Sequence, residues 1–163
     1  MKFRPTTLTL LDQAGQPYQI SSEDLITVAQ AYVQNEFSDG SPIGSPSAAA
    51  AQIQVLLAGE QREVFYAVWL DNQHRIVGSG ALAYGTLDSA TIYPREVIKA
   101  ALRVNAAAVI FAHNHPSGHS QPSEADKKIT QKLKKALAYL DIRLLDHFIL
   151  AKEVTSMAEL GLL

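Results

Sequence analysis

The chain contains no cysteine. Disulfide scaffolds, thiolate metal sites and cysteine nucleophiles are excluded together. Any metal held by side chains here must use His, Asp or Glu. Long apolar runs are missing too. No stretch approaches the roughly eighteen consecutive apolar residues that suggest a membrane helix. The first residues, Met1-Lys2-Phe3-Arg4-Pro5, lead into Thr-rich sequence with Asp12, not into an apolar signal core. A cytoplasmic location is the expectation. Nor is there an excess of one charge. The formal net charge is −2, so no overall basic field exists to hold nucleic acid.

What is present suits one folded domain. The 163 residues, 47% of them hydrophobic, are enough for a single core. No internal repeat is visible. Residues 37–46, FSDGSPIGSP, are rich in Gly, Pro and Ser and predict a linker or loop. Ahead of them, Thr7 to Leu11 predicts a strand. Ser21 or Ser22 can cap a helix with Leu25, Ile26, Val28, Ala29, Tyr32 and Val33 as apolar positions. The expected organisation is an N-terminal extension and linker over residues 1–45, then a domain over residues 46–163.

Beyond the linker the pattern sharpens. Ser47 can cap a helix reaching about Ala58. Glu63 to Leu70, EVFYAVWL, is rich in β-branched and aromatic residues and predicts a strand. Asp71 to His74 predicts a turn, and Arg75 to Ala81 a returning strand. Pro94 stands where a helix would start, before Val97, Ile98, Ala101 and Leu102 at helical spacing. Ala106 to Ala112 has no polar residue and suits a strand buried on both faces. Ser123 opens a long helix with Ile129, Leu133, Ala136, Leu137 and Leu140 as its apolar stripe. Leu144 to Leu150 predicts a last strand. This alternation predicts an α/β fold, a mixed sheet with helices packed on it.

The chemistry gathers where the buried strand ends, at His113-Asn114-His115. In an extended chain residues i and i+2 point the same way, so both imidazoles can converge on one point. Pro116, Ser117 and Gly118 break the strand. The next helix begins at Ser123, with Asp126 in its first turn. A loop returning to a helix start beside the strand end can bring Asp126 to the histidines. Two nitrogens and one oxygen suit zinc, and three protein ligands leave a fourth position open, as in catalytic sites. The plain alternative is that Ser123 and Asp126 are only a helix cap, Ser with an acid three residues on. The joint frame, H-x-H and then S-x-x-D, is far rarer by chance than either part.

The run HNHPSGHSQPSEAD, His113 to Asp126, resembles the JAMM (JAB/MPN) metalloprotease motif. The flanking YPREVIKAALRVNAAAVIFAHNHPSG and the later LLDHFIL are similar to the RadC branch, bacterial proteins associated with DNA repair. The resemblance covers about residues 46–163 and is to short forms found in prophages and plasmids, without an N-terminal helix-hairpin-helix region. It implies a three-layer, cytidine-deaminase-like α/β fold and one zinc per chain, held by His113, His115 and Asp126. It implies that Ser123 steadies an oxyanion and that an upstream glutamate works on the water. Glu63 fits that role best in position; Glu60 lies close by, and Glu96 is the other candidate. The implied reaction is hydrolysis of a peptide or isopeptide bond in a peptide or protein substrate.

Weaker signals remain. Asp146-His147 reads either as support for the metal ligands or as a satisfied, partly buried pair. His119 is a loop residue and His74 a turn residue. Lys127, Lys128, Lys132, Lys134 and Lys135 make the last helix basic. Nucleic acid is a conceivable partner for that face, although a solvated helix face is the commoner meaning and no aromatics are interleaved to stack bases. The letters His-Asn-His do not make a dispersed nuclease site. The zinc deaminases of related fold need a Pro-Cys-x-x-Cys pair, which a chain without cysteine cannot supply.

Overall fold

A computed structural model describes residues 7–38, 40, 42–85 and 92–163. The expectations that touch Met1–Pro5, and Asp39 and Ser41 of the linker stretch, lie outside the described residues. The architecture is a five-stranded mixed sheet with helices on both faces, the α/β class that the alternation predicts. A separate hairpin, β1 (Thr7–Leu11) and β2 (Pro17–Ser21), precedes it. Then follow α1 (Ser22–Ser38), α2 (Pro46–Leu56), β3 (Val64–Leu70), β4 (Ile76–Tyr84), α3 (Pro94–Arg103), β5 (Ala108–Asn114), α4 (Glu124–Ala138), β6 (Arg143–Leu150) and β7 (Val154–Ser156). The sheet order is β4-β3-β5-β6-β7, with only β5 and β6 parallel. No helix among the described residues is long and apolar enough to cross a membrane.

The side-chain period of two sorts the core into two layers. Val64, Tyr66, Val68 and Leu70 of β3, with Ala108, Ile110 and Ala112 of β5, pack under α1 and α2. Phe65, Ala67 and Trp69, with Val109 and Phe111, pack under α3 and α4. That is why both strands read as unbroken apolar runs: neither has a wet face.

Several boundaries moved. α2 is capped by Ser45 rather than Ser47: the Ser45 hydroxyl accepts from Ala48 N at 3.1 Å, and Pro46 takes the first helical position. The stretch expected as linker begins inside α1, whose Phe37 is only 2% exposed and joins the core under α2 with Val33. Burying such a ring contributes about 1.5–3 kcal/mol, so the helix continues through a Phe-Ser pair that composition marked as loop. Ser21 is the α1 cap, accepting from Asp24 N at 3.0 Å. The strand expected over residues 106–112 instead runs from Ala108 through His113 to Asn114. β2 and β7 had not been anticipated. Asp12 builds the β1–β2 turn by accepting from Ala14 N and Gln16 N, both at 2.8 Å.

Candidate metal centre

Strand parity aims the first ligand candidate. His113 has the parity of Val109 and Phe111, so it faces the α4 side of the sheet. His115 lies beyond the strand's assigned end, yet its N–H donates to Leu150 O at 2.8 Å. That bond continues the β5–β6 ladder and keeps the i, i+2 relation of the two histidines. β5 and β6 are parallel, so a crossover must join them, and α4 is that crossover. The helix returns at the end of β5, which brings Asp126 of its first turn beside the strand end.

The three groups meet. His113 Nε2 lies 2.8 Å from His115 Nε2. Asp126 Oδ1 is 3.2 Å from His113 Nε2, and Asp126 Oδ2 is 3.6 Å from His115 Nε2. Relative exposure of the His113, His115 and Asp126 side chains is 0%, 11% and 1%. Such a trio could hold a metal ion. The helix cap is real as well. Ser123 Oγ accepts from Asp126 N at 3.1 Å, and Asp126 Oδ2 accepts from Ser123 N at 2.6 Å. Capping and convergence are therefore not rivals: Asp126 does both.

The electrostatics favour a cation. Burial pushes the Asp126 carboxyl up, but the neighbouring His113 and His115 imidazoles outweigh it and hold it far below the carboxylate range. The same carboxylate, against some burial, raises His115 above 6.5, with help from the His119 carbonyl and the charges of Asp126 and Glu63. His115 Nδ1 donates to His119 O at 2.7 Å. Gly118, at φ 79°, lets the loop fold back to place that carbonyl. In neutral His115 the Nε2 lone pair therefore faces the carboxylate. Such a buried gathering of acceptors is stable only with a proton or a cation among them.

This gives a pH prediction. A divalent metal entering the trio displaces the proton that His115 holds. Its affinity should weaken as pH falls through the raised His115 value, by up to about tenfold per pH unit for one proton. In the metal-free protein the linkage has the opposite sense: the His115 contribution is fully present below 6.5 and is lost as pH rises through the folded value. Titration calorimetry of metal binding across this range measures the effect. An affinity independent of pH would contradict it.

The other candidates separate clearly. Glu63 precedes β3 and has the parity of Phe65, which pairs with His113. Extending that register by two residues sets Glu63 opposite His115, consistent with the Glu63 charge acting on that imidazole. Asn114 brackets this glutamate: its Oδ1 accepts from Val64 N at 2.7 Å and its Nδ2 donates to Arg62 O at 2.9 Å. Glu60 is exposed and lines an open cleft of about 570 Å³ that also includes His115 and Ser117. Glu96 is exposed on α3, within 3.3 Å of both Arg95 and Lys99. His119 is exposed and supplies only its carbonyl to His115, while its ring lies 3.3 Å from Ser117 Oγ. His74 sits exposed in its turn at φ 59°.

The pair Asp146-His147 divides its roles. Asp146 accepts from His147 N, Ser156 Oγ and Ala158 N, tying β7 and the turn after it to β6. His147 instead reaches His113, its Nε2 lying 2.8 Å from His113 Nδ1. Thr130, 0% exposed, closes against His147 Nδ1 at 2.6 Å. The sequence reading had not singled out Thr130. Its signal is the spacing of four from Asp126, which on a helix sets both residues on one face.

A family model described as a RadC-like JAB domain matches residues 43–162. The chain belongs to the RadC-like JAB domain family. The mixed α/β sheet fits that JAB/MPN-like assignment. Among curated relatives, a UPF0758 protein of Vibrio cholerae serotype O1 (strain ATCC 39315 / El Tor Inaba N16961) is 46% identical over 152 residues, covering 93% of each chain. A UPF0758 protein of Vibrio atlanticus (strain LGP32) is 45% identical over 148 residues, which are 90% of this chain and 66% of that one. This RadC-like chain thus spans just under two thirds of the longer relatives and nearly all of the shorter ones. Similarity over so much of the chain also reaches back into the segment ahead of residue 43.

Proposed function

We propose that this RadC-like JAB domain is a zinc-dependent metallohydrolase that cleaves an amide, peptide or isopeptide, in a peptide or protein substrate. The observation that carries the reading is the convergence of His113, His115 and Asp126, with His115 also lining an open cleft and the β3–β5 register setting Glu63 opposite it. Two imidazoles and one carboxylate suit zinc and leave room for a reacting group. Bound zinc would lower the pKa of a water towards about 7 and polarise the scissile carbonyl. Glu63 takes a proton from the attacking water as the water oxygen adds to the carbonyl carbon. It then passes that proton to the amine nitrogen as the C–N bond breaks. Ser123 Oγ already accepts from Asp126 N. Its hydroxyl proton is therefore left to donate to the developing oxyanion.

Mass spectrometry of peptide and isopeptide libraries incubated with zinc-loaded protein tests this. Cleavage should disappear on chelation and return with added zinc. A protein that holds zinc yet cleaves no amide, while retaining nucleic acid in a salt-sensitive way, would favour a second reading. That reading is a nucleic-acid-associated accessory protein, and its one supporting observation is the shallow groove on α4 lined by Lys127, Lys128, Lys132 and Lys135.

A further inference from the structure

Behind the candidate metal centre runs a fully buried chain of polar groups. Thr130, His147 and His113 are each 0% exposed. Thr130 Oγ1 lies 2.6 Å from Asp126 O and 2.6 Å from His147 Nδ1, and His147 Nε2 lies 2.8 Å from His113 Nδ1. Phe65 and Phe111 stand edge-on to His147, with ring centroids at 5.2 and 6.2 Å. These rings help keep the chain in an apolar setting.

Counting protons along it leaves one arrangement. A carbonyl oxygen only accepts, so the Thr130 hydroxyl donates to Asp126 O. Thr130 Oγ1 can then only accept from His147, which puts the His147 proton on Nδ1. A neutral imidazole with Nδ1–H has a bare Nε2. His147 Nε2 must therefore accept from His113, and the His113 proton sits on Nδ1. What remains at the far end is the His113 Nε2 lone pair, facing His115 and Asp126.

We propose that Thr130 and His147 are positioning residues. Through His147, the Thr130 hydroxyl fixes the His113 proton on Nδ1 and so presents the Nε2 lone pair to a metal. The inference rests on the metal reading given above and deepens it. Metal-bound histidines more often donate to a carboxylate, a carbonyl or water. Here, among the described residues, the partner of His113 Nδ1 is a second imidazole rather than a carboxylate. The same hydroxyl is anchored on the backbone of Asp126, so one side chain ties two of the three ligands together.

The test compares Thr130→Val, which keeps the shape and loses the hydroxyl, with Thr130→Ser, which keeps the hydroxyl. In the valine variant His147 Nδ1–H has no acceptor. His147 gains by moving its proton to Nε2, which forces His113 to protonate the nitrogen that the metal needs. Zinc affinity, read by competition with a chromogenic chelator, should fall about 10–100-fold in Thr130→Val and return in Thr130→Ser. Nitrogen-15 spectra of metal-free wild type should show His113 protonated on Nδ1, with its Nε2 left to accept from His115. Wild-type affinity in the valine variant, no recovery with serine, or a His113 proton on Nε2 in wild type would each overturn the proposal. If Thr130→Val does not fold, the wild-type spectrum decides alone. If wild type takes up no zinc, the metal reading fails, and the spectrum still judges the relay.

Discussion

Glu63→Gln should lower amide hydrolysis by about 10²–10⁴-fold while leaving bound zinc unchanged. Glutamine has the shape of glutamate but cannot carry a proton from water to an amine. Glu63 is not one of the three converging groups, so metal content should not follow it. The local backbone should hold as well, because Asn114 grips Arg62 O and Val64 N rather than the Glu63 side chain. A secondary effect checks the placement. The Glu63 charge helps raise His115, so the metal-free variant should hold that proton less firmly. Glu60→Gln is the control, since Glu60 is exposed on the cleft. Kinetics and zinc content of both variants settle the matter. Full activity in Glu63→Gln, with loss in Glu60→Gln, would move the base to Glu60.

The convergence of His113, His115 and Asp126 was legible because its geometry is local. A strand end fixes His113 and His115 by the period of two, and a helix start fixes Asp126. What the sequence left open was whether Asp126 caps or ligates. Its two oxygens allow both, since Oδ2 accepts from Ser123 N while Oδ1 lies near His113. Glu63 depended on register across two strands, which no local pattern encodes.

His147 was harder for a definite reason. Val109 pairs with Leu144 but Ile110 pairs with Asp146, so Leu145 is an extra residue in β6. Without that bulge His147 would stand beside Ala112 and face α2. With it, His147 pairs with Phe111 and faces His113. A bulge re-aims every later side chain, and its position is set by pairing, not by composition. Thr130 escaped notice because a threonine on an apolar helix face commonly back-bonds its own helix. Here it does so, and its remaining lone pair serves His147. The hairpin strand β2 and the short β7 draw their pairing from partners outside themselves.

The second large effect concerns the metal itself. Replacing both imidazoles, His113→Ala with His115→Ala, should abolish zinc binding, because a lone carboxylate is left where three ligands stood. The folded protein should also weaken. Asp126, 1% exposed, would keep its cap bond from Ser123 N but lose both imidazole partners. Breaking such a buried pair costs about 3–5 kcal/mol, so the melting temperature must be measured alongside, with His115→Ala as the milder variant because that ring is partly exposed.

Zinc content per folded chain, by elemental analysis of wild type and the double variant after zinc is supplied at neutral pH, addresses the central claim most directly. About one zinc is expected in wild type and none in the variant. No zinc in folded wild type, or equal zinc in both, would contradict it.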